Sequence, residues 1–398
     1  MLKNAMTKND VKPIQFLNLL CEKAGVTSKL FYLPLIMGAL MLLHDVWVPE
    51  RVFLENAAIY GHEGMVRMML GKQTERNGRK ALFEPFIAAV RHGHPATASI
   101  FLDHGIDINA ALPTGHTPLM EAAWRGHVDT VRMLLLRGAD IEAVDNNGRT
   151  ALMHAAQHGR KDCVDFFLRS GAYVGAVDKK GWTAFRSAAA SGHVEIAKAL
   201  LESGAKLQPI ALNDAAYAGR AKMVQFLLEH GVPTDASPDG MTALMHAAGQ
   251  GHVDVVRLLI KRGADVNMVN RRGVTALGVA LTGKYRSELK KNHRVIKLLI
   301  EAGADIQPAL VPAVRSGNLE AVEFLRSRGA SLDEVGKDGS TVLMQAVLAG
   351  HQNIVRFLLA EGADVYAVSP DGSTALSLAM KNGNKEVAKM LSYAMCGG

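Results

Sequence analysis

One short stretch decides the fold: Gly-His-Thr-Pro-Leu-Met-Glu-Ala-Ala at 115–123 returns as Gly-Arg-Thr-Ala-Leu-Met-His-Ala-Ala at 148–156. The two copies begin 33 residues apart, since 148 minus 115 is 33. The same frame recurs at 240–248 and, more loosely, from Gly181, Gly273, Gly339 and Gly372. A period of this length with glycine punctuation indicates a stack of similar units rather than independent globular domains.

A single unit, residues 145–176, shows why the pattern predicts a pair of helices. Gly148 closes a turn and can take a positive φ, and Thr150 is placed to cap the helix that follows. Apolar residues then come at helical spacing in two runs, Leu152, Ala155 and Ala156, and Val164, Phe167 and Leu168. Gly171 stands where a left-handed C-cap residue belongs. Because one helix pair cannot bury its own apolar face, at least three copies must stack.

In this frame, with Gly-His recurring at 61, 93, 126, 192, 251 and 350, the chain resembles an ankyrin-repeat protein. The resemblance covers residues 53–392 in about eleven units, of which the first two are degenerate. It implies an all-α solenoid of stacked helix pairs with short β-turn or hairpin fingers. It also assigns the Gly-His histidines to a structural position in each repeat.

The chain departs from the family at one position. The family's Thr-Pro-Leu-His motif ends in a histidine that ties the helix to the turn by a hydrogen bond. Here that position holds Met120, Met153, Met245 and Met344, and elsewhere Arg186, Gly278 and Ser377. A flexible thioether is expected to fill the gap, which leaves the polar tie at each turn in question.

Two segments lie outside the repeats. Residues 1–52 are predicted to form N-terminal capping helices, because the terminal repeats of a solenoid need a polar outer face, and 393–398 form a tail. The apolar run Leu30–Leu43 is shorter than the roughly 20 residues that span a membrane. A buried capping helix is the favoured interpretation, and contact with a membrane or partner is the alternative.

Composition and motifs argue against chemistry. The 398 residues are 48% hydrophobic with a formal net charge of +7, which permits an acidic partner without demanding one. Three widely spaced cysteines predict neither a disulfide framework nor a zinc site and favour the cytoplasm. The chain carries no phosphate-binding loop, no nucleophile elbow and no His-Glu-x-x-His helix. We therefore expect no enzyme activity, cofactor or metal.

The leading hypothesis is a monomeric protein–protein interaction module: an adaptor, inhibitor or scaffold. The resemblance implies that an as yet unidentified protein partner binds the concave face, at turn tips and first helices. The candidate partner-binding residues are Trp124, Arg125, Arg149, Gln157, His158, Lys179, Lys180, Trp182, Arg271 and Arg272. Exposed Trp and Arg most often anchor interfaces. Each Trp could equally pack as a wedge against its neighbouring repeat.

Repeats of irregular length leave one alternative function. Gln208-Pro209 and Gln307-Pro308 each lead straight into a helix, so two units are predicted to lack a finger. One unit gains about seven residues, in a basic stretch at 283–292 that includes Lys284, Arg286, Lys290 and Lys291. This loop and the turn-tip Lys and Arg could bind nucleic acid or an anionic surface. We expect neither nucleic acid nor membrane as the partner, since a solvated loop is the simpler interpretation.

Overall fold

A computed structural model describes residues 50–73, 82–282, 289–333, 335–336 and 338–396. These residues are helical apart from turns and loops, and the β pairing described is a single isolated bridge between Val335 and Thr341. The expected all-α fold is therefore confirmed. The chain divides into two compact units: an N-terminal unit up to Ser187 with 198–205, and a C-terminal unit of 188–197 with 206 onward.

Helices come in consecutive pairs along the described chain. The N-terminal unit holds α1 (Glu50–Ile59), α2 (Glu63–Gln73), α3 (Phe83–Arg91), α4 (Pro95–Asp103), α5 (Pro118–Arg125), α6 (Val128–Leu136), α7 (Ala151–Gln157) and α8 (Lys161–Arg169). Two helices, α9 (Ala184–Ser191) and α10 (Val194–Glu202), are each divided between the units.

The C-terminal unit continues the same alternation. It holds α11 (Ile210–Tyr217), α12 (Ala221–Glu229), α13 (Ala243–Gln250), α14 (Val253–Lys261), α15 (Ala276–Thr282), α16 (Leu289–Glu301), α17 (Leu310–Ser316), α18 (Leu319–Ser327), α19 (Val342–Leu348), α20 (Gln352–Ala360), α21 (Ala375–Lys381) and α22 (Lys385–Cys396). A short 3₁₀ turn, Gln307–Ala309, precedes α17.

The first helix of a regular pair begins at a threonine cap. The Thr150 hydroxyl accepts a hydrogen bond from the Met153 backbone N–H at 3.3 Å, and Thr242 does the same for Met245 at 3.2 Å. Such a cap is worth about 1 kcal/mol over alanine. Because the next residues are Ala, Leu and Met, the helix is buried from its first turn, as Ala151 to Ala156 are.

Small residues on these first helices let neighbouring repeats approach closely. Ala155 and Ala156 are fully buried, and the larger side chains of the second helices, such as Phe101 and Phe167, fill the layer behind them. The four methionines at the family's usual histidine position are also buried. The methionine side chains therefore fill buried space at the position where the family has a histidine, as the sequence predicted.

Four of the Gly-His histidines, His94, His127, His252 and His351, fasten their repeat to the one before. His127 Nε2 lies 2.9 Å from the Arg91 carbonyl oxygen, and His252 Nε2 lies 2.9 Å from that of Tyr217. The ring occupies the space above the preceding repeat's glycine: a Cβ on Gly93 would stand 2.6 Å from His127 Nδ1. Since that glycine also has a φ of 74°, it is held both by backbone conformation and by the ring.

Several sequence predictions fall outside the described residues. The capping role of residues 1–49, with the apolar run Leu30–Leu43, is among them, and α1 begins at Glu50. The basic residues Lys284 and Arg286 lie there too, and α16 begins at Leu289 within the basic stretch. At the other end α22 continues to Cys396, beyond the predicted end of the array at 392.

No helix within the described ranges is long and apolar enough to cross a membrane. Among these residues Cys163 and Cys396 are free thiols. Burial raises the pKa of Cys163 to about 12, so this thiol is protonated and unreactive at neutral pH.

Candidate protein-interaction surface

Two fingers of the N-terminal unit are tight turns built on a carboxylate. Asp145 Oδ1 accepts hydrogen bonds from the backbone N–H groups of Asn147 and Arg149, at 2.8 and 2.9 Å. Asp178 repeats this arrangement one unit later, toward the N–H groups of Lys180 and Trp182. Because both turns are closed from within, the side chains that project from them start from a fixed backbone.

Neighbouring fingers are also bonded to each other. Asn146 Nδ2 donates to the Pro113 carbonyl oxygen at 2.9 Å, and the Lys179 ammonium donates to that of Asn146 at 2.8 Å. Lys179 was predicted to contact a partner. In the structure its ammonium group contacts the preceding finger. The row of fingers in this unit is therefore connected by side chain to backbone bonds.

Five of the predicted partner-binding residues come together on α5, α7 and the finger between them. We call Trp124, Arg125, Arg149, Gln157 and His158 the tryptophan patch. The Trp124 ring lies 5.5 Å from that of His158 in the next repeat, and Arg125 stands over the indole at 5.3 Å. Arg149 Nη1 reaches Gln157 Oε1 at 3.5 Å. Arg125, Gln157 and His158 are exposed, whereas Trp124 and Arg149 are half-buried.

The surroundings of Trp124 are compatible with both roles that the sequence left open, anchor and wedge. The residue is half-buried and its ring lies 5.5 Å from that of His158 in the next repeat, as a wedge would. The remainder of the ring stays accessible beside exposed polar side chains, as an anchor requires.

The other predicted residues lie elsewhere. Trp182 is half-buried with the Arg186 guanidinium 4.3 Å above its ring, and Lys180 is exposed at the tip of that finger. Arg271 and Arg272 belong to the C-terminal unit and are exposed. Arg271 packs over Gly240, where an added Cβ would stand 2.7 Å from its Nε. That residue therefore also covers the preceding turn.

Behind the tryptophan patch lies a polar network that the sequence reasoning missed. Arg91 Nε donates to Glu121 Oε2 at 2.8 Å, and His116 Nδ1 lies 3.1 Å from Glu121 Oε1. On its other side, His116 Nε2 lies 3.5 Å from Asp145 Oδ2. The same Asp145 oxygen accepts hydrogen bonds from Arg149 Nε at 3.0 Å and from His154 Nε2 at 3.1 Å. The side chains of Glu121, Asp145 and His154 are at most 3% exposed.

The polar tie between helix and turn, which the methionines cannot make, is made by a neighbouring residue in this network and in two other repeats. The tie has moved one residue along the helix, from the methionine to the residue after it. His154 bonds Asp145, His246 Nε2 bonds Asp239 at 2.9 Å, and Gln345 Nε2 bonds Asp338 at 3.1 Å. The signal was present in the sequence as a recurring polar residue directly after each methionine.

The electrostatics of the network follow from its burial. Burial opposes ionisation of Asp145, but the N–H groups of Arg149 and Asn147 and the Arg149 charge outweigh it, so the pKa of this carboxyl is below its usual range. The same competition, won by the bonds from Arg91 and His116, lowers the pKa of Glu121. Burial, helped by the charge of Arg149, lowers the pKa of His154 to about 4. His154 is therefore neutral at pH 7 and both carboxylates are ionised.

Within the described chain one group of side chains has the spacing of metal ligands. The ligating atoms of His116, Asp145 and His154 all lie within 4.8 Å of one another. None of the three belongs to the recurring Gly-His positions at 61, 93, 126, 192, 251 and 350, the class on which the expectation of no metal was based; His116 follows a turn glycine, Gly115, instead.

Comparison with known proteins supports the repeat assignment. The sequence profile of the family described as ankyrin repeats (3 copies) matches residues 54–145, 134–211, 212–309 and 310–396. A relative from Caenorhabditis elegans, the ankyrin repeat and KH domain-containing protein mask-1, is 33% identical over 132 residues, which are 30% of this chain and 5% of that protein. The chain thus spans a small share of that relative's length.

A shorter relative is matched over most of its length. The Notch-regulated ankyrin repeat-containing protein of Xenopus tropicalis is 33% identical over 78 residues, 18% of this chain and 68% of that protein. Among solved structures, the human ASB11 ankyrin repeat domain has 26% identity and a TM-score of 0.49, and the match covers 56% of this chain and 98% of that one.

Repeats of this kind are in general protein–protein interaction modules and are generally not enzymes. Because the profile spans most of the sequence and the described residues fold as the helix pairs it requires, this chain belongs to the ankyrin-repeat family.

Proposed function

We propose that this chain is a non-catalytic adaptor, inhibitor or scaffold that binds a protein partner through the tryptophan patch. The observation that carries the proposal is the meeting of Trp124, His158 and Arg149 from adjacent repeats on one partly exposed surface. Tryptophan and arginine are the residues that most often dominate binding energy, especially when grouped. The chain acts as a monomer, and its free Cys163 and Cys396 suit a reducing compartment such as the cytoplasm.

The layer under the patch favours binding because it is already ordered. His116, Glu121 and Asp145 fix the turn and the helix from which the patch projects. A preorganised surface loses less conformational entropy on association than a flexible one. The hydrogen-bonded fingers therefore leave more of the contact energy available for affinity.

The charge of the surface indicates the chemistry of the partner. The carboxylates of Glu121 and Asp145 are paired inside the network, while Arg125 and Lys179, which bonds the adjacent finger, are exposed. The outward charge of this region is thus positive around an indole. We expect a partner segment with a large apolar side chain flanked by Asp or Glu.

Truncation of the anchor provides the test. Trp124→Ala should weaken partner binding by about 2 kcal/mol, roughly 30-fold, because the indole is the largest apolar group of the patch. The matched control is Tyr217→Ala, since Tyr217 follows the Ala-Ala pair of its own repeat as Trp124 does and is 53% exposed. Binding would be measured by titration calorimetry with a partner captured from lysate.

Hydrogen exchange on the bound complex locates the surface independently. Protection confined to residues 113–192 supports the proposal, and protection that continues past Gln208 to Arg272 contradicts it. A partner whose affinity falls steeply with salt and is unaffected by Trp124→Ala would instead favour the anionic-surface alternative. An early melting transition in Trp124→Ala would identify the indole as a structural wedge.

A further inference from the structure

Three side chains of the N-terminal unit direct ligating atoms at a common point. His116 precedes α5, Asp145 opens the next finger, and His154 stands on α7. Asp145 Oδ2 lies 3.1 Å from His154 Nε2 and 3.5 Å from His116 Nε2. A tetrahedral zinc ion with bonds of about 2.0–2.1 Å holds its ligand atoms about 3.4 Å apart. The two measured separations bracket that value.

The surroundings prepare these atoms for a metal. Asp145 uses Oδ1 for the two backbone N–H groups of its turn, which leaves Oδ2 directed at the histidines. Glu121 Oε1 lies against His116 Nδ1, so a proton on Nδ1 leaves the Nε2 lone pair for a cation. A carboxylate behind a ligating histidine is the usual outer-shell arrangement in zinc sites.

We propose that His116, Asp145 and His154 bind a divalent transition-metal ion, with Zn²⁺ as the best match to a set of two imidazoles and one carboxylate. Three protein ligands leave a fourth position for water or for a donor atom from a partner. His116 is 16% exposed, whereas the other two side chains are at most 3% exposed, so the ion enters along the His116 side.

Arg149 is the competitor for this site. Its Nε lies 3.0 Å from the same Asp145 oxygen that would ligate the ion. The side chain is 29% exposed and its Nη1 already reaches toward Gln157, so the guanidinium can leave Asp145 without a cost in burial. Metal binding would thus release the Arg149 guanidinium from Asp145 and leave it available for contacts within the tryptophan patch.

The C-terminal unit contains a matched pair that lacks the third ligand. His246 Nε2 lies 2.9 Å from Asp239 Oδ2, as in the site above. Tyr217, rather than a histidine, has its ring 6.0 Å from that of His246. One imidazole and one carboxylate, the latter 40% exposed, are too few ligands to hold zinc strongly. The His246–Asp239 pair therefore serves as an internal control.

The test titrates Zn²⁺ into the full chain carrying Cys396→Ser, which removes an exposed thiol, and follows Co²⁺ substitution by its visible absorption. We expect one strong equivalent and a tetrahedral Co²⁺ spectrum. Loss of a ligand in His116→Gln or His154→Gln should weaken binding at least about 100-fold, because removal of an outer-shell partner alone, as in Glu121→Gln, costs about 10–100-fold.

Three further variants sharpen the result. Arg149→Gln should bind Zn²⁺ several-fold more tightly, since the competing cation is gone, whereas His246→Gln and the exposed His293→Gln should bind as the parent does. Circular dichroism verifies folding, and the half-buried His116 provides a ligand variant that spares the core. Weak zinc binding that His116→Gln and His154→Gln leave unchanged, or a strong equivalent lost equally in His246→Gln, would overturn the proposal.

Discussion

Two repeats share the seven residues Thr-Ala-Leu-Met-His-Ala-Ala, at 150–156 and 242–248, yet place their histidine in different surroundings. His154 is 3% exposed and its carboxylate partner Asp145 is fully covered, whereas His246 is 17% exposed and Asp239 is 40% exposed. Identical helices therefore have different electrostatics, and the cause must lie outside the seven residues.

Two differences account for the contrast. Asp145 stands three residues before its turn glycine, Gly148, and points under the turn, whereas Asp239 directly precedes Gly240 and stands at the rim. In addition, the unit before Gly240 enters α11 through Pro209 without a finger, so no finger histidine like His116 covers the pair, and that unit contributes Asn213 Nδ2 instead, 3.1 Å from Asp239 Oδ1. Burial of a helix residue in this fold is thus set by the turns of its own and the preceding unit.

The largest expected effect is a difference in the free energy of unfolding lost when Asp145 or Asp239 is replaced. Asp145→Ala should lower the free energy of unfolding by about 3 kcal/mol, because two backbone N–H groups, Arg149 and buried His154 all lose an acceptor. Asp239→Ala should cost about 1 kcal/mol, since water replaces the lost bonds at an exposed site. Urea unfolding with amide exchange of each repeat measures both.

Equal losses in the two variants would break the comparison, because they would mean that exposure does not set the value of these ties. The matched control is Asp140→Ala in the N-terminal unit, where an exposed aspartate caps only the N–H of Glu142. Its loss should stay below about 1 kcal/mol.

The next effect concerns pH in the metal-free protein, with a chelator present. The pKa of His154 falls from 6.5 to about 4 on folding, so the unfolded chain takes up the proton first. Stability is therefore complete above pH 6.5 and is lost as the pH falls toward 4, by roughly 3 kcal/mol in all and roughly 2 kcal/mol by pH 5. The lowered pKa values of Glu121 and Asp145 add their own losses only below their ordinary pKa values of 4.5 and 3.8.

Thermal melting at pH 7.5 and pH 5 measures this loss. His154→Gln keeps an N–H donor toward Asp145 but cannot titrate, so its stability should change less between the two pH values than that of the parent. A parent curve as flat as that of His154→Gln would show that folding does not lower the pKa of His154.

The smallest expected effect is a gain. Ser237 occupies the place of Asp145 in its turn, where Asp145, Asp178 and Asn270 each accept N–H bonds from the residues two and four further on. Ser237→Asp should add a bond from the Asp239 N–H and stabilise the turn by about 1 kcal/mol, since the Met241 N–H already donates to Asp239 Oδ1. Asp235→Asn, two residues earlier, controls for the added charge. Unchanged melting with an unchanged turn would show that Pro238 already closes it.

The sequence predicted the fold because its signal is repeated. Turn glycines such as Gly148, threonine caps such as Thr150 and paired alanines occur in phase many times, so single departures do not hide the pattern. The structure places five predicted binding residues in the tryptophan patch for the same reason, since their columns follow from the repeat frame.

The network behind the patch could be predicted only in part. A polar residue after each methionine was visible, but its partner depends on whether the aspartate stands first or third in the turn. His116 was overlooked because it follows a turn glycine, in a column associated with contacts to a partner rather than with the interior. Burial of His154 then depends on packing between units, which no single repeat encodes.

The junction between repeats has a consequence for how the gene can change. At several junctions the second-helix histidine bonds a backbone carbonyl of the repeat before it, as His94 does with Ile59 and His127 with Arg91. At these junctions the acceptor is a main-chain carbonyl and a glycine lies beneath the ring, so the contact does not depend on the other side chains of the preceding repeat. An unequal crossover that removes or duplicates a whole unit would therefore bring together two surfaces that already fit, and the array could change length without a compensating mutation.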